Sequence, residues 1–168
     1  MTEVPERRAA TPEELQVLGS AVRLRIIRLT HHRPLTNKEI AEKVGKDPAT
    51  TLHHVRKLHA AGFLEALPER RGTRGAKEIP YRSTGLSWRL SLGHTPTVSE
   101  AMLQAYLGEV AAAGVGAVEQ TRLVVQVDEA SRAELQVRIG ELLEEFAGRE
   151  PLEGAERTAV YLAIYPSG

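Results

Sequence analysis

Apolar residues return every three or four positions through the first sixty residues, and the polar residues between them punctuate that pattern as helix ends. Thr11 is followed by Pro12 and, three residues on, by Glu14. This capping-box spacing predicts a first helix from Pro12 that fades near Gly19. Ser20 starts a second helix through about Thr30. Val22, Leu24, Ile26, Ile27 and Leu29 make it the most apolar segment so far and the expected central core helix. Arg23, Arg25 and Arg28 alternate with these positions and are expected to project outward. His31 and His32 fall at its C-terminal end, where the helix dipole favours an imidazolium, so they are read as capping residues rather than metal ligands. Pro34 then breaks the chain.

The stretch 36–64 reads as two short helices joined by a tight turn. Thr36 and Glu39 repeat the capping box, and Gly45 suits the left-handed position that ends a helix. Asp47 caps the next helix, with Pro48 at its first position, where a missing N–H costs nothing, and Gly62 closes it. That helix, 48–61, has two faces. Thr51, Val55 and Leu58, flanked by His54 and Ala61, should pack on a core. Ala49, Thr50, Leu52, His53, Arg56 and Lys57 form the opposite side, which is short, polar and basic apart from Leu52. Thr and His suit base edges or phosphates, Arg and Lys suit phosphates, and Leu52 suits a thymine methyl. A helix–turn–helix of this shape can lay its second helix in a DNA major groove. Taken alone, the same face also fits an ordinary solvated helix.

Beyond Gly62 the pattern changes to strand. Residues 63–67 and 78–84 are short β runs, and Pro80 places the second at a sheet edge. Between them lies a loop with Gly72, Gly75 and four cations, Arg70, Arg71, Arg74 and Lys77. A hairpin with a basic, Gly-rich tip directly after a recognition helix reads as a wing (68–78), suited to phosphates or a minor groove. The alternative is a mobile surface hairpin with unspecific charge.

The second half is less patterned. Residues 85–95 hold the sole tryptophan, Trp88, expected to pack between the wing and the next segment, and Gly93 and Pro96 suggest a linker. The boundary is placed at 92/93. A helix from about Ser99 to Ala113 carries Met102, Leu103, Tyr106, Leu107 and Val110 along one side, a stripe for a partner subunit or for its own domain. Residues 123–127 read as a strand. A helix then begins at Asp128 or Ser131, with apolar Leu135, Ile139, Leu142, Leu143 and Phe146 and its end at Gly148. Residues 158–165 read as a last strand. This β-α-β order gives only two strands, a marginal sheet that a partner subunit or neighbouring helices would complete.

Composition sharpens the division. The 168 residues balance 22 Lys and Arg against 22 Asp and Glu. Residues 1–90, however, carry 17 basic against 10 acidic side chains, and residues 91–168 carry 5 against 12. A basic half for a polyanion and an acidic half for another task are the implication of that asymmetry. The absence of cysteine excludes disulfides, cysteine-ligated zinc and thiol catalysis. Neither a signal-peptide core nor a membrane-length apolar run is present, so a cytoplasmic protein is expected.

The run LGSAVRLRIIRLTHHRPLTNKEIAEKVGKDPATTLHHVRKLHAAGFLE resembles the winged-helix core of the ArsR-type bacterial transcriptional regulators, over roughly residues 17–84. The resemblance implies a mostly α fold with small β elements: a winged helix–turn–helix domain (1–92) followed by a helical and β-α-β dimerisation region (93–168). It implies DNA contacts from Thr50, His53 and Arg56, wing contacts from Arg70, Arg71 and Arg74, and a homodimer built on the stripe 102–110. His54 stands between a structural and a DNA-touching role. Metal-sensing members place cysteines on the first motif helix, where this chain has Asn37-Lys38-Glu39-Ile40-Ala41-Glu42-Lys43. Others use His and carboxylates on the helix after the wing, where Glu100 and Glu109 stand without a His. No metal or other cofactor is therefore expected.

The chain is accordingly expected to be a dimeric, sequence-specific regulator of double-stranded DNA, most often a repressor in proteins of this kind. The acidic half leaves room for a small-molecule or protein effector. The competing reading is a winged-helix adaptor that binds protein and not DNA. Nucleophile motifs, metal-ligand spacing, a phosphate loop and paired carboxylates are all missing, which argues against an enzyme.

Overall fold

The computed structural model describes residues 7–72 and 75–166. It divides into two compact units, one reaching to Val118 and one beginning at Glu119. In the first, β1 (Arg8–Ala9) is followed by α1 (Pro12–Leu18), α2 (Ala21–His31), β2 (Leu35–Thr36), α3 (Asn37–Val44) and α4 (Pro48–Ala60). Then come β3 (Leu64–Ala66), β4 (Arg70–Arg71), β5 (Lys77–Glu78), β6 (Pro80–Ser83), a 3₁₀ turn (Leu86–Arg89), β7 (Leu90–Ser91) and α5 (Pro96–Ala113).

Local capping sets most of these boundaries. Both capping boxes form: Thr11 with Glu14, and Thr36 with Glu39, each side chain bonding the other residue's backbone N–H. Gly45 ends α3 at φ 67°, a left-handed conformation that strains a residue with a Cβ. The Asp47 side chain accepts the Thr50 N–H at 2.8 Å and starts α4.

Helix α2 lies at the centre, packed by α1, α3, α4, α5 and β6. The core gathers Leu18, Ile26, Ile27, Leu35, Ile40, Val44, Val55, Leu58, Phe63, Leu64, Leu90 and Val98 from nearly every element of the unit. Of the α2 arginines, Arg28 projects outward as expected, whereas Arg23 and Arg25 do not. Arg28 is exposed and pairs with Glu109 on α5. Arg23 and Arg25 are half-buried, because their guanidinium groups fold back onto the carbonyls of Gln16, Val17 and Lys43. Those carbonyls stand at the ends of α1 and α3, which leave acceptors unsatisfied.

The sheet is three-stranded and antiparallel in the order β2-β6-β3. Pro80 therefore begins the central strand, not an edge. It is tolerated because it stands first in β6, opposite Thr36, while its carbonyl still accepts the Leu67 N–H at 2.9 Å. The hairpin continues into β4 and β5, where Arg70 faces Glu78 and Arg71 faces Lys77. The register slips by one residue between the two ladders, a bulge on the first arm around Pro68-Glu69. Helix, turn, helix and basic hairpin together make a winged helix–turn–helix.

Residues 85–95 are no linker. Leu90 is fully buried, β7 pairs in parallel with β1, and the Ala10 N–H bonds the Ser91 carbonyl at 3.1 Å, so this stretch is tied into the fold. Arg8 grips Glu14 with both guanidinium nitrogens, and this bond, with the Thr11 N–H, holds the Glu14 carboxyl down to about 2. Trp88 is 41% exposed instead of packed inside, and the Arg7 guanidinium lies 4.3 Å over its ring. Helix α5 starts at Pro96, earlier than expected, and buries Val98, Ala101 and Ala105 in the same unit.

The second unit holds α6 (Glu129–Ala147), capped by Asp128 through the Ser131 N–H at 2.8 Å and ended by Gly148. The expected strands at 123–127 and 158–165 are not assigned. Strand-like composition forms no ladder without a backbone partner, and two such segments make a marginal sheet. Leu142 and Phe146 of α6 are more than half exposed, and no residue of that helix is fully buried. No described helix is long and apolar enough to cross a membrane.

Replacing Leu90 with Ala tests whether this segment belongs to the core. Loss of a fully enclosed leucine should cost about 2–5 kcal/mol in denaturant unfolding. A linker residue would cost well under 1 kcal/mol.

Candidate nucleic-acid interface

Helix α4 is seated from one side. Thr51, Val55 and Leu58 are fully buried, and the Thr51 hydroxyl donates to the Asp47 carbonyl at 2.9 Å, so even this polar residue is satisfied inside. At the far end the His59 ring nitrogen Nδ1 lies 3.0 Å from the Leu64 carbonyl, tying the helix to β3. At the near end the Asn37 amide donates to the Pro48 carbonyl at 2.9 Å, a bond that spans the turn and fixes α4 against α3. Sequence reading missed Asn37. Its first-turn position on α3 signals a capping environment but does not reveal a partner eleven residues on.

With that side fixed, Ala49, Thr50, His53, Arg56 and Lys57 are exposed together along the other. Leu52 is half-buried, so its side chain serves the seat as well as the surface. Neither Arg56 nor Lys57 makes an ion pair among the described residues. Lys46, exposed in the turn, and Lys38, exposed on α3, add charge to the motif. Both are single lysines in a helical background, and nothing in their spacing marks them.

The wing cations fall into two groups. Arg71 is exposed and makes no ion pair among the described residues. Lys77 sits 3.2 Å from Glu69, and Arg70 sits 3.1 Å from Glu39 and 3.9 Å from Glu78. Arg74 lies outside the described residues. On α5, Met102, Leu103 and Leu107 are 41%, 41% and 48% exposed, while Tyr106 and Val110 are half-buried. The stripe is thus shared between its own unit and the surface. Among the described residues no three His, Asp or Glu side chains converge as a metal site.

His54 occupies the boundary between the two faces. It is half-buried, and its Nδ1 is enclosed with no hydrogen-bond partner among the described residues. Burial above all, then the charges of Arg23, His53, Lys46 and Lys57, push its pKa below the ordinary 6.5.

Residues 18–65, from the end of α1 to β3, match the helix-turn-helix domain family. The matched stretch covers α2, α3 and α4. A comparison with curated proteins finds no match. Among solved structures it is similar to reduced HlyU from Vibrio cholerae, at 17% identity over 56% of this chain and 84% of that one, with a TM-score of 0.36. ZitR from Lactococcus lactis is similar at 17% identity over 75% and 74%, with a TM-score of 0.36. S. aureus MepR bound to an oligodeoxyribonucleotide is similar at 16% identity over 81% and 79%, with a TM-score of 0.33.

His54 makes folding depend on pH. The unfolded chain takes up a proton near 6.5, whereas the folded imidazole resists it. Its contribution to stability is thus complete above about pH 6.5 and lost as pH falls through the lower folded value. Melting temperatures from about pH 7 down to pH 5 should fall more steeply for the wild type than for His54→Gln. Parallel curves would show that His54 is not the titrating group.

Proposed function

We propose that this chain is a DNA-binding transcription regulator of the ArsR type, acting as a homodimer and as a repressor. One observation carries the reading. The apolar side of α4 is locked into the core, and its opposite side presents Thr50, His53, Arg56 and Lys57, with the cations unpaired among the described residues, beside a basic hairpin. A helix held this way can enter a major groove as a rigid body. Thr50 and His53 then approach base edges, Arg56 reaches a guanine edge or a phosphate, Lys57 reaches a phosphate, and Ala49 allows close approach. Leu52 is left a partial apolar contact. Arg71, with Arg74 and Lys77 of the same hairpin, supplies backbone contacts that add affinity without sequence choice.

The exposed Met102, Leu103 and Leu107 of α5 give a second copy an apolar surface next to the winged helix. A twofold dimer would set two α4 helices in successive major grooves, about 34 Å apart. Residues 114–168 extend the dimerising half and offer room for a small-molecule or protein effector. An adaptor that never met DNA would gain nothing from leaving Arg56, Lys57 and Arg71 without an ion pair among the described residues.

Substitutions separate the two kinds of contact. His53→Ala combined with Arg56→Ala should weaken cognate DNA by roughly 10- to 100-fold more than random duplex. Arg71→Ala should weaken both alike and flatten the log–log salt slope by about 0.9. Equal losses on cognate and random duplex for the helix variant would contradict the assigned roles.

A further inference from the structure

Arg70 is the wing cation with the most elaborate surroundings. Its guanidinium donates to the Glu39 carboxylate at 3.1 Å. The same Glu39 oxygen already accepts the Thr36 N–H at 2.7 Å in the capping box that starts α3. From the other side the Glu78 carboxylate stands 3.9 Å from Arg70 Nε, and Glu78 is its directly opposed partner in the hairpin ladder. Room for Glu78 comes from Gly72. A Cβ at that position would sit 2.3 Å from the Glu78 carboxyl group, so a larger residue would push the Glu78 side chain from its place beside Arg70. Just beyond, the Gly72 N–H bonds the Ala76 carbonyl at 2.8 Å and narrows the hairpin towards its tip.

These contacts join elements that no covalent neighbour connects. Glu39 belongs to α3, thirty-one residues before Arg70, and Glu78 belongs to the returning arm of the wing. An arginine fork fits two carboxylates at once in a way a lysine point charge does not. Arg71, one residue on, lies on the opposite face of the strand because side chains alternate.

We propose that Arg70 is a positioning residue of the wing and not a phosphate contact. Its guanidinium clamps the base of the hairpin to the N-terminus of α3 through Glu39, with Glu78 bracing it across the ladder. The clamp fixes the direction in which Arg71 meets the nucleic acid. That last step rests on the DNA-binding function proposed for the chain, whereas the clamp itself does not.

Glu39 is left intact in the test, since its loss would also remove the α3 cap. Full-length Arg70→Gln, Arg70→Lys and Glu78→Gln are compared with the wild type by hydrogen exchange of peptides covering 67–79, without DNA. Thermal melting checks that each is folded. The clamp predicts faster wing exchange in Arg70→Gln and Glu78→Gln, by ~3- to 5-fold given the modest strength of a half-exposed pair, with peptides of α4 unchanged. Arg70→Lys should recover only part of the protection.

Binding to random duplex across a salt series then reads the role on DNA. A positioning role predicts weaker binding for both Gln variants with the salt slope unchanged, because Arg71 still reaches its phosphate once the loosened wing is ordered on the duplex. A phosphate contact predicts a slope flatter by about 0.9 for Arg70→Gln, and tighter binding for Glu78→Gln, which releases the arginine. Unchanged exchange in both Gln variants would overturn the clamp, whether or not the protein binds DNA. Faster exchange in a protein that binds no duplex would keep the clamp and refute the regulator reading.

Discussion

Everything exposed on α4 depends on how firmly its other side is held. Val55 and Leu58 are fully buried beside Ile26 and Ile40, and burial of each such side chain is worth about 1.5–3 kcal/mol. That apolar grip fixes the rotation of the helix about its axis. The Asp47 cap, the Asn37 amide and the His59 ring fix its two ends. Once rotation and ends are set, Thr50, His53, Arg56 and Lys57 have no freedom to turn inward, and a polar face becomes a usable surface. Specificity of the kind a base edge demands needs this rigidity more than it needs any one side chain.

Charge is divided between scaffold and surface. Several cations of the basic half are engaged within the fold. Arg23 and Arg25 close helix ends by binding carbonyls, Arg28 ties α2 to α5, Arg8 holds Glu14, and Arg70 is bracketed by Glu39 and Glu78. Around the helix–turn–helix, Arg56, Lys57 and Arg71 have no ion pair among the described residues, and the same holds for the exposed Arg33, Lys38, Lys43 and Lys46. A basic half of the chain is therefore not uniformly a binding surface, because part of its charge builds the scaffold that presents the rest.

The features legible in the sequence are those written locally. Thr11 with Glu14, Thr36 with Glu39, and Asp47 before Pro48 each act across three residues, so their spacing alone gives α1, α3 and α4 and, through them, the helix–turn–helix. The two faces of α4 come from the same periodicity. What could not be read depends on partners far along the chain. Leu90 and the pairing of β7 with β1 join segments about eighty residues apart, and the central place of Pro80 depends on β2 arriving from the other side. Arg70 looked like any other wing cation because composition does not say which carboxylate a guanidinium will meet. At 123–127 and 158–165 strand-forming residues are present, but composition does not supply the neighbouring strand they require.

If the exposed side of α4 reads a particular DNA sequence as part of a twofold assembly, the purified protein must show both properties at once. The most direct test is selection of bound fragments from a genomic pool by the full-length chain at near-physiological salt, with light scattering on the same sample after size exclusion. The expected result is enrichment of an inverted repeat with half-sites about one helical turn apart, bound by a protein of twice the chain mass. Retention of no DNA at any salt, or retention without any shared sequence, would contradict it.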